Sequence, residues 1–485
     1  MKSIITNFRL DAYNYNDPVT PPMKDKRWTA LGRLLESPWF ERCWILQEIA
    51  ASQGSPIVLC GNQNLTWPEF KEVIDCLGLS ATKNVMARIK LVDSIQQIID
   101  SYYRLEDPGD ALSRLHVLLH LTSSFRSTDP RDKVFALLGL TWVGREFNNW
   151  PGELAPDYAR PVQDVYAAAA KYCIQQTNSL SVLSQYTPNK MQRPLTRDSS
   201  FPSWVPRWDL ADSTCRISHF HFYRDIAGLR HLDEQHNKAS KGTGVQMDDD
   251  TRLSVLRVLG VRLRTVKVCF PPVAPDDPEV DARVPERYGE YLSKLIPHLY
   301  TMSEKHVRQS SCSFARTFFI ATTAGVSRES KDSRTDPFVE SESITHLVKY
   351  GAKACSAPNH EATPWMTLSV PNTRDQGQPS GDDIEIGSDK RSLDNVYLNR
   401  YIESLQRLIN RRLFVTASGR LGLGPASMMS GDTVAILFGG NVPYVLRPLA
   451  NNQWHFVGEC YLDGCMDGEA MEGRILSKDE WFEMV

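Results

Sequence analysis

An α+β fold is expected for this chain, on three observations. Apolar residues recur at helical spacing through the first part of the sequence, short β-rich runs punctuated by Gly, Pro and Asn fill the part after residue 411, and a polar stretch around 232–250 separates the two regimes. At 485 residues the chain exceeds what one hydrophobic core organises, so roughly two or three domains are expected. The expected divisions are 1–145, 146–240 and 251–485.

The N-terminal region is built around Ser37-Pro38-Trp39-Phe40-Glu41-Arg42-Cys43-Trp44-Ile45-Leu46-Gln47-Glu48-Ile49. Ser37 before Pro38 marks a helix start, because Pro at the first position gives up an amide that has no partner there. One helix is expected from there to about Gly54, with Phe40, Trp44 and Gln47/Glu48 on one face. Pro56-Ile57-Val58-Leu59-Cys60-Gly61 reads as a buried strand. Thr66, Pro68 and Glu69 then open another helix with a capping box.

Leu91 to Tyr102 and Leu112 to Leu121 carry helical periodicity on either side of a turn at 107–110. His116 and His120 lie four apart on the second helix, but no carboxylate or cysteine with supporting spacing accompanies them, so no metal site is assigned. Thr128-Asp129-Pro130-Arg131-Asp132-Lys133-Val134-Phe135-Ala136-Leu137-Leu138-Gly139-Leu140 contains every helix signal: Asp129 to cap, Pro130 at the first position, Asp132 for the dipole, Gly139 to stop. Ala155-Pro156-Asp157-Tyr158 precedes a further helix with an alanine run at 167–170. A short strand is expected at 180–183, and the prolines flanking Trp204 predict an extended segment that inserts aromatics.

Strands resume at 253–263. Residues 326–343 and 371–395 read as insertions, and 397–409 as an amphipathic helix ending in Arg411-Arg412, where positive charge suits a helix C-terminus. The remaining short strands and turns predict a small barrel or meander.

Net charge is −3, with 55 basic and 58 acidic residues and no like-charge block, so nucleic-acid binding is not indicated. The ten cysteines are scattered without a C-x-x-C pair, and no apolar run reaches the ~18 residues of a membrane span. A reduced, cytoplasmic protein without a leader or transmembrane segment is expected.

Taken together, these stretches resemble fungal heterokaryon incompatibility (HET) domain proteins of the HET-6 type. The resemblance rests on Trp39-Phe40-x-Arg42-x-Trp44-Ile45-Leu46-Gln47-Glu48, on the block from Thr128 to Leu140, on Pro156-Asp157-Tyr158 and on Pro202-Ser203-Trp204-Val205-Pro206. It continues through Gly431-Asp432, Pro443-Tyr444-Val445-Leu446-Arg447 and Val457-Gly458-Glu459-x-Tyr461-Leu462 to Glu469. Such proteins usually begin with a Ser-Tyr-x-Trp-Gly strand and a Trp-Ile-Asp-Ala-Ile-Cys-Ile-Asn-Gln strand. Neither block is found here, so the resemblance implies an N-terminally shortened member.

HET domains are in turn similar to TIR domains, some of which cleave NAD with a glutamate in a Trp-x-x-x-Glu arrangement. Trp44 and Glu48 have that spacing. The resemblance therefore implies a partial TIR-like α/β layer with central helices, followed by the barrel or meander. It makes Glu48 the candidate catalytic residue, where a carboxylate would stabilise positive charge as a glycosidic bond breaks. Trp39, Arg42, Trp44, Gln47, Asp129, Arg131, Asp132 and Trp204 are motif residues with packing roles.

The function implied is self/non-self recognition or cell-death signalling through protein interactions, without enzymatic activity or a cofactor. The partners implied are other proteins, either another HET-type protein or a second copy. One alternative is an NAD-cleaving hydrolase using Glu48. A pathway-associated regulator or an inactive remnant is the other.

Overall fold

The computed structural model describes residues 32–50, 52, 56–60, 63–77, 92, 95–96, 98–99, 114–141, 151–185, 201–210, 217, 221–224, 230–233, 238–248, 252–273, 296, 298–307, 311–322, 405–472 and 479–485. The predicted lead-in over 1–27, the turn at 107–110, the insertions at 326–343 and 371–395 and the start of the helix read over 397–409 lie outside these residues. The chain divides into two compact units. The first is Met1–Thr177 with Arg207–Asp212, and the second is Asn178–Pro206 with Ser213–Val485. Both helices and strands are present, with the strands concentrated in the second unit, as an α+β fold requires.

In the first unit, Ser37 caps a single 3-10 turn, Pro38–Glu41, its hydroxyl accepting from the Trp39 amide at 3.4 Å. The one long helix expected here is broken at Arg42, whose backbone is extended (φ −79°, ψ 135°). The cause lies across the fold. Arg126 donates its amide to the Glu41 carbonyl at 2.5 Å, and its own carbonyl accepts from Cys43 at 2.9 Å, so this stretch pairs sideways instead of coiling. Helix α1 then covers Ile45–Ala50 and buries Ile45, Leu46, Ile49 and Ala50.

Strands β1 (Ile57–Cys60) and β2 (Gln63–Thr66) form an antiparallel hairpin. The predicted strand is present but is not buried: Ile57 and Leu59 are 64% and 74% exposed. Among the described residues these are the strands of the first unit, an antiparallel pair that does not by itself make the TIR-like α/β layer expected there. Helix α2 (Trp67–Leu77) starts on the predicted capping box, with Glu69 accepting from the Thr66 amide at 3.0 Å and the Glu69 amide reaching the Thr66 hydroxyl at 3.4 Å.

Helices α3 (Arg114–Leu121), α4 (Asp132–Leu138) and α5 (Val162–Thr177) pack on one another, and α4 also meets α1. Every residue of α4 is buried, which makes it the axis of the unit rather than an amphipathic surface helix. Ala167, Ala168, Ala169 and Ala170 are all buried on α5, small side chains that permit close helix approach.

The second unit holds a hairpin of β3 (His221–Arg224) with β4 (Arg230–Asp233) and a barrel built on β5 (Leu256–Cys269). Helix α6 (Ser311–Thr322) also belongs to this unit. The remaining strands are β6 (Arg411–Thr416), β7 (Leu421–Pro425), β8 (Thr433–Leu437), β9 (Tyr444–Pro448), β10 (Gln453–Glu459), β11 (Tyr461–Leu462) and β12 (Asp479–Met484). β5 is long enough to pair with β12 over 256–261, β8 over 260–265 and β6 over 266–269. Following the pairs from β5 through β12, β10, β9 and β8 returns to β5, so this part of the sheet closes on itself.

β6, β7 and β11 extend from the far end of β5, with β11 continuing β10 past Cys460. Register shifts between Arg262 and Arg264, Val266 and Val268, and Phe456 and Gly458 supply the bends. Gly260 sits where β12 and β8 flank β5 on both edges. A Cβ there would lie 2.5 Å from the Ile436 carbonyl oxygen, so no larger residue fits. Val266, Phe414, Val434, Val445, Val457 and Leu462 fill the interior.

Two local expectations are corrected in this unit. Residues 181–185 form a buried 3-10 turn instead of a strand, because the chain ties to the Gly439 carbonyl through the Ser179 hydroxyl and the Leu180 amide and then closes on itself from Leu183 to Leu180. Arg411 and Arg412 open β6 rather than end a helix, since Glu459 draws the Arg411 guanidinium into the interior.

Candidate functional site

Four motif residues of the first unit, Gln47, Asp129, Arg131 and Asp132, meet at α4. Asp129 grips the start of the helix three times: its Oδ1 accepts from the Arg131 amide and Nε, each at 2.9 Å, and its Oδ2 from Nη2 at 2.8 Å. The remaining Arg131 nitrogen, Nη1, donates to the carbonyls of Tyr158 and, at 3.0 Å, Arg160. Tyr158 returns the contact. Its hydroxyl donates to Asp132 Oδ1 at 2.6 Å, its ring lies 5.4 Å below the Arg131 guanidinium, and it meets Phe135 edge-on at 5.2 Å. Tyr166 on α5 donates to the Pro130 carbonyl at 2.7 Å.

The block at 128–140 and the block at 156–158, distant in sequence, are thus two halves of one clasp. Its electrostatics follow from the contacts. Hydrogen bonds from Arg131 lower the Asp129 pKa, and Asp129 in turn raises that of Arg131. The hydrogen bond to Asp132, followed by burial, pushes Tyr158 up to about 12, so it stays a donor at neutral pH.

Lys133, in the same block, turns inward and is 4% exposed. Its Nζ donates to the Phe125 carbonyl and, at 3.4 Å, to that of Ser123, just past the end of α3, where a cation suits the helix dipole. Burial lowers its pKa, opposed by Cys43 and Asp209, while burial pushes the Cys43 thiol up to about 11.

At the other end of α4, Gln47 Nε2 donates to the Ala136 carbonyl at 2.9 Å and lies across Gly139. The predicted helix stop therefore works by a different mechanism. Gly139 has φ −65°, an ordinary helical value, and its lack of a side chain is what admits the Gln47 amide, 2.7 Å from where a Cβ would stand.

Asp129, Arg131, Asp132 and Gln47 are brought together on α4. The other expected residues lie elsewhere. Trp39 is half-buried, edge-on to Phe40 at 5.0 Å, and Phe40 stacks on Phe70 at 5.6 Å. Trp44 is half-buried, while Arg42 and Glu48 are exposed, Glu48 on the side of α1 away from its buried residues. Trp204 belongs to the second unit, where it is fully buried and donates Nε1 to the Ser254 carbonyl at 3.3 Å. Tyr158 and Lys133 complete the clasp and were inside the quoted blocks, but neither follows a capping or periodicity rule.

The second unit holds two charge pairs that sequence reasoning did not single out. Arg411 and Glu459, both buried, meet at 2.7 Å, and the same carboxylate oxygen accepts from the Ile217 amide at 2.6 Å. Buried Asp432 is gripped by Arg447 at 2.8 and 3.0 Å and accepts from the Met429 amide at 2.8 Å. Asp432, Arg447 and Glu459 all fall in the quoted tail blocks, which was the signal available. Among the described residues no group of His, Cys, Asp and Glu is placed to hold a metal ion, and no helix is long and apolar enough to cross a membrane.

Residues 380–482, which include the strands from β6 to β11, match the Het-6 beta-barrel domain family. The chain is also 22% identical over 481 residues to "Heterokaryon incompatibility protein 6, OR allele" of Neurospora crassa, a match covering 90% of this chain. The chain is HET-6-like. It spans 65% of the length of that relative. No solved structure matches. On the HET-6-like chain, the clasp residues Asp129, Arg131, Asp132 and Tyr158, and the charge-pair residues Asp432, Arg447 and Glu459, lie in the blocks that carried the resemblance, so these blocks help hold the fold together.

Proposed function

We propose that this protein acts in a heterokaryon-incompatibility-type process, in self/non-self recognition or cell-death signalling, through protein interactions rather than catalysis. The similarity along 90% of the chain to a protein named for heterokaryon incompatibility is the observation that carries this reading. The chemistry of the blocks that carried the resemblance agrees with it. The polar groups of the clasp each engage another protein group, and Glu48 is exposed, on the side of α1 away from its buried residues.

The decisive experiment is expression of the full chain in a filamentous fungus, with scoring of hyphal fusion, growth and heterokaryon formation against a panel of strains. Strain-dependent growth inhibition, together with a partner recovered by affinity capture from the inhibited strain, is the expected result. Unaltered growth and fusion against every strain would sink the proposal. A parallel strain carrying Glu48→Ala separates the two mechanisms: inhibition that persists in it argues for interaction, whereas inhibition that vanishes together with nicotinamide release argues for NAD cleavage.

A further inference from the structure

Residues 151–160 run over α4 before entering α5, and most of this segment faces solvent: 152, 153 and 156–159 are all exposed. Leu154 is its one buried apolar side chain, and Tyr158 is 50% exposed. Yet the segment covers Phe135 and Asp132, which are 4% and 9% exposed on a helix buried on every side. Its side-chain ties to α4 pass through two residues. Arg131 holds the carbonyls of Tyr158 and Arg160, and Tyr158 holds Asp132 and Phe135. Arg160 adds bonds only to its own neighbourhood, to the carbonyls of Glu153 and Asp164. Beyond Pro161, α5 is anchored independently through its buried face and through Tyr166 to Pro130.

We infer that residues 151–160 form a strap that opens as a local unit, keyed by Arg131, while the helices beneath it stay folded. Segments with few buried apolar contacts and solvent-facing polar ties open at free energies well below global unfolding. The strap has that character, and the scaffold around it does not. Opening presents Phe135, Asp132 and the Arg131 guanidinium together, an apolar face rimmed by one charge of each sign. This places a conformational gate on the surface that the strongest motif of the first unit builds. The inference stands on the geometry of the clasp and holds whatever the protein's biological role.

The test uses thiol labelling of the folded full chain, because the native cysteines supply an internal control. Cys43 and Cys173 are buried among the helices of the first unit and report opening of the scaffold. Leu154→Cys places a thiol in the strap, and its labelling rate reports strap opening. The expected result is labelling at 154 that is much faster than at Cys173 and nearly independent of low urea concentrations, while Cys173 labelling rises steeply with urea. Adding Arg131→Lys, which loses the forked grip, raises the rate at 154 by about tenfold or more and raises that at Cys173 by a clearly smaller factor. Equal rates and equal urea dependence at 154 and Cys173 would overturn the inference, as would a rate at 154 indifferent to Arg131→Lys. Where Leu154→Cys does not fold, Ala155→Cys, at a half-buried position, takes its place with the same two outcomes.

Discussion

Glu459 is a carboxylate placed in the interior of the second unit, and two donors make that tolerable: the Arg411 guanidinium at 2.7 Å and the Ile217 amide at 2.6 Å. Removing one partner leaves the other charge buried and uncompensated, which costs far more than the pair contributes. Glu459→Ala is therefore expected to lower unfolding free energy by about 3–5 kcal/mol in a urea titration. Replacing both members with Met removes both charges and recovers most of that loss, leaving chiefly the Ile217 amide without its acceptor, at about 1–3 kcal/mol. A double variant as damaged as the single would show that the pair stabilises the barrel beyond mutual compensation. Nothing in the local sequence around Arg411 announces this role. The residue follows an apolar periodicity typical of a helix, and its partner lies far along the chain, so local spacing pointed to a helix end.

At the scale of elements, the capping chemistry of α2 was legible because it is local: Thr66 and Glu69 need only each other. Thr66→Ala should accordingly cost about 1 kcal/mol, seen as a lowered thermal midpoint. Whatever depends on a distant strand or turn was not legible. The opening helix breaks at Arg42 because of Arg126, and Gly139 is required by Gln47 rather than by its own backbone angle. That last pair gives a double-mutant test. Gly139→Ala displaces the Gln47 amide from the Ala136 carbonyl and should cost about 1 kcal/mol, the net worth of one hydrogen bond. In a Gln47→Ala background the same change should cost little, and additive costs would refute the steric account.

The N-terminal grip on α4 carries a pH signature. Because its Arg131 hydrogen bonds hold Asp129 below its ordinary 3.8, the unfolded chain takes up this proton first as pH falls. The stability contributed by Asp129 is complete above 3.8 and is lost as pH falls through its lower folded value. Thermal midpoints of Asp129→Asn should lie below the parent at neutral pH and converge with it in acid.

The chain passes between the two units more than once: it leaves the first after Thr177, returns for Arg207–Asp212 and leaves again. The returning segment is part of the first unit's core. Trp208 is buried, edge-on to the equally buried Tyr166 at 5.0 Å, and Asp209 supports the charge of buried Lys133. Arg207 in turn holds Asp209 with two bonds, at 2.9 and 2.7 Å. A fragment ending at Thr177 contains every described helix of the first unit yet lacks these residues. It leaves Tyr166 without the Trp208 ring and takes the Asp209 charge away from buried Lys133, whose remaining partners are the Ser123 and Phe125 carbonyls, so the core loses both packing and charge compensation. Such a fragment is expected to lose cooperative unfolding, with a broad thermal transition followed by circular dichroism. Restoring residues 207–212 through a flexible linker after Thr177 should return a sharp transition, and Asp209→Asn in the restored fragment should weaken it again. A fragment that already unfolds cooperatively without 207–212 would show that Trp208 and Asp209 decorate this core rather than complete it.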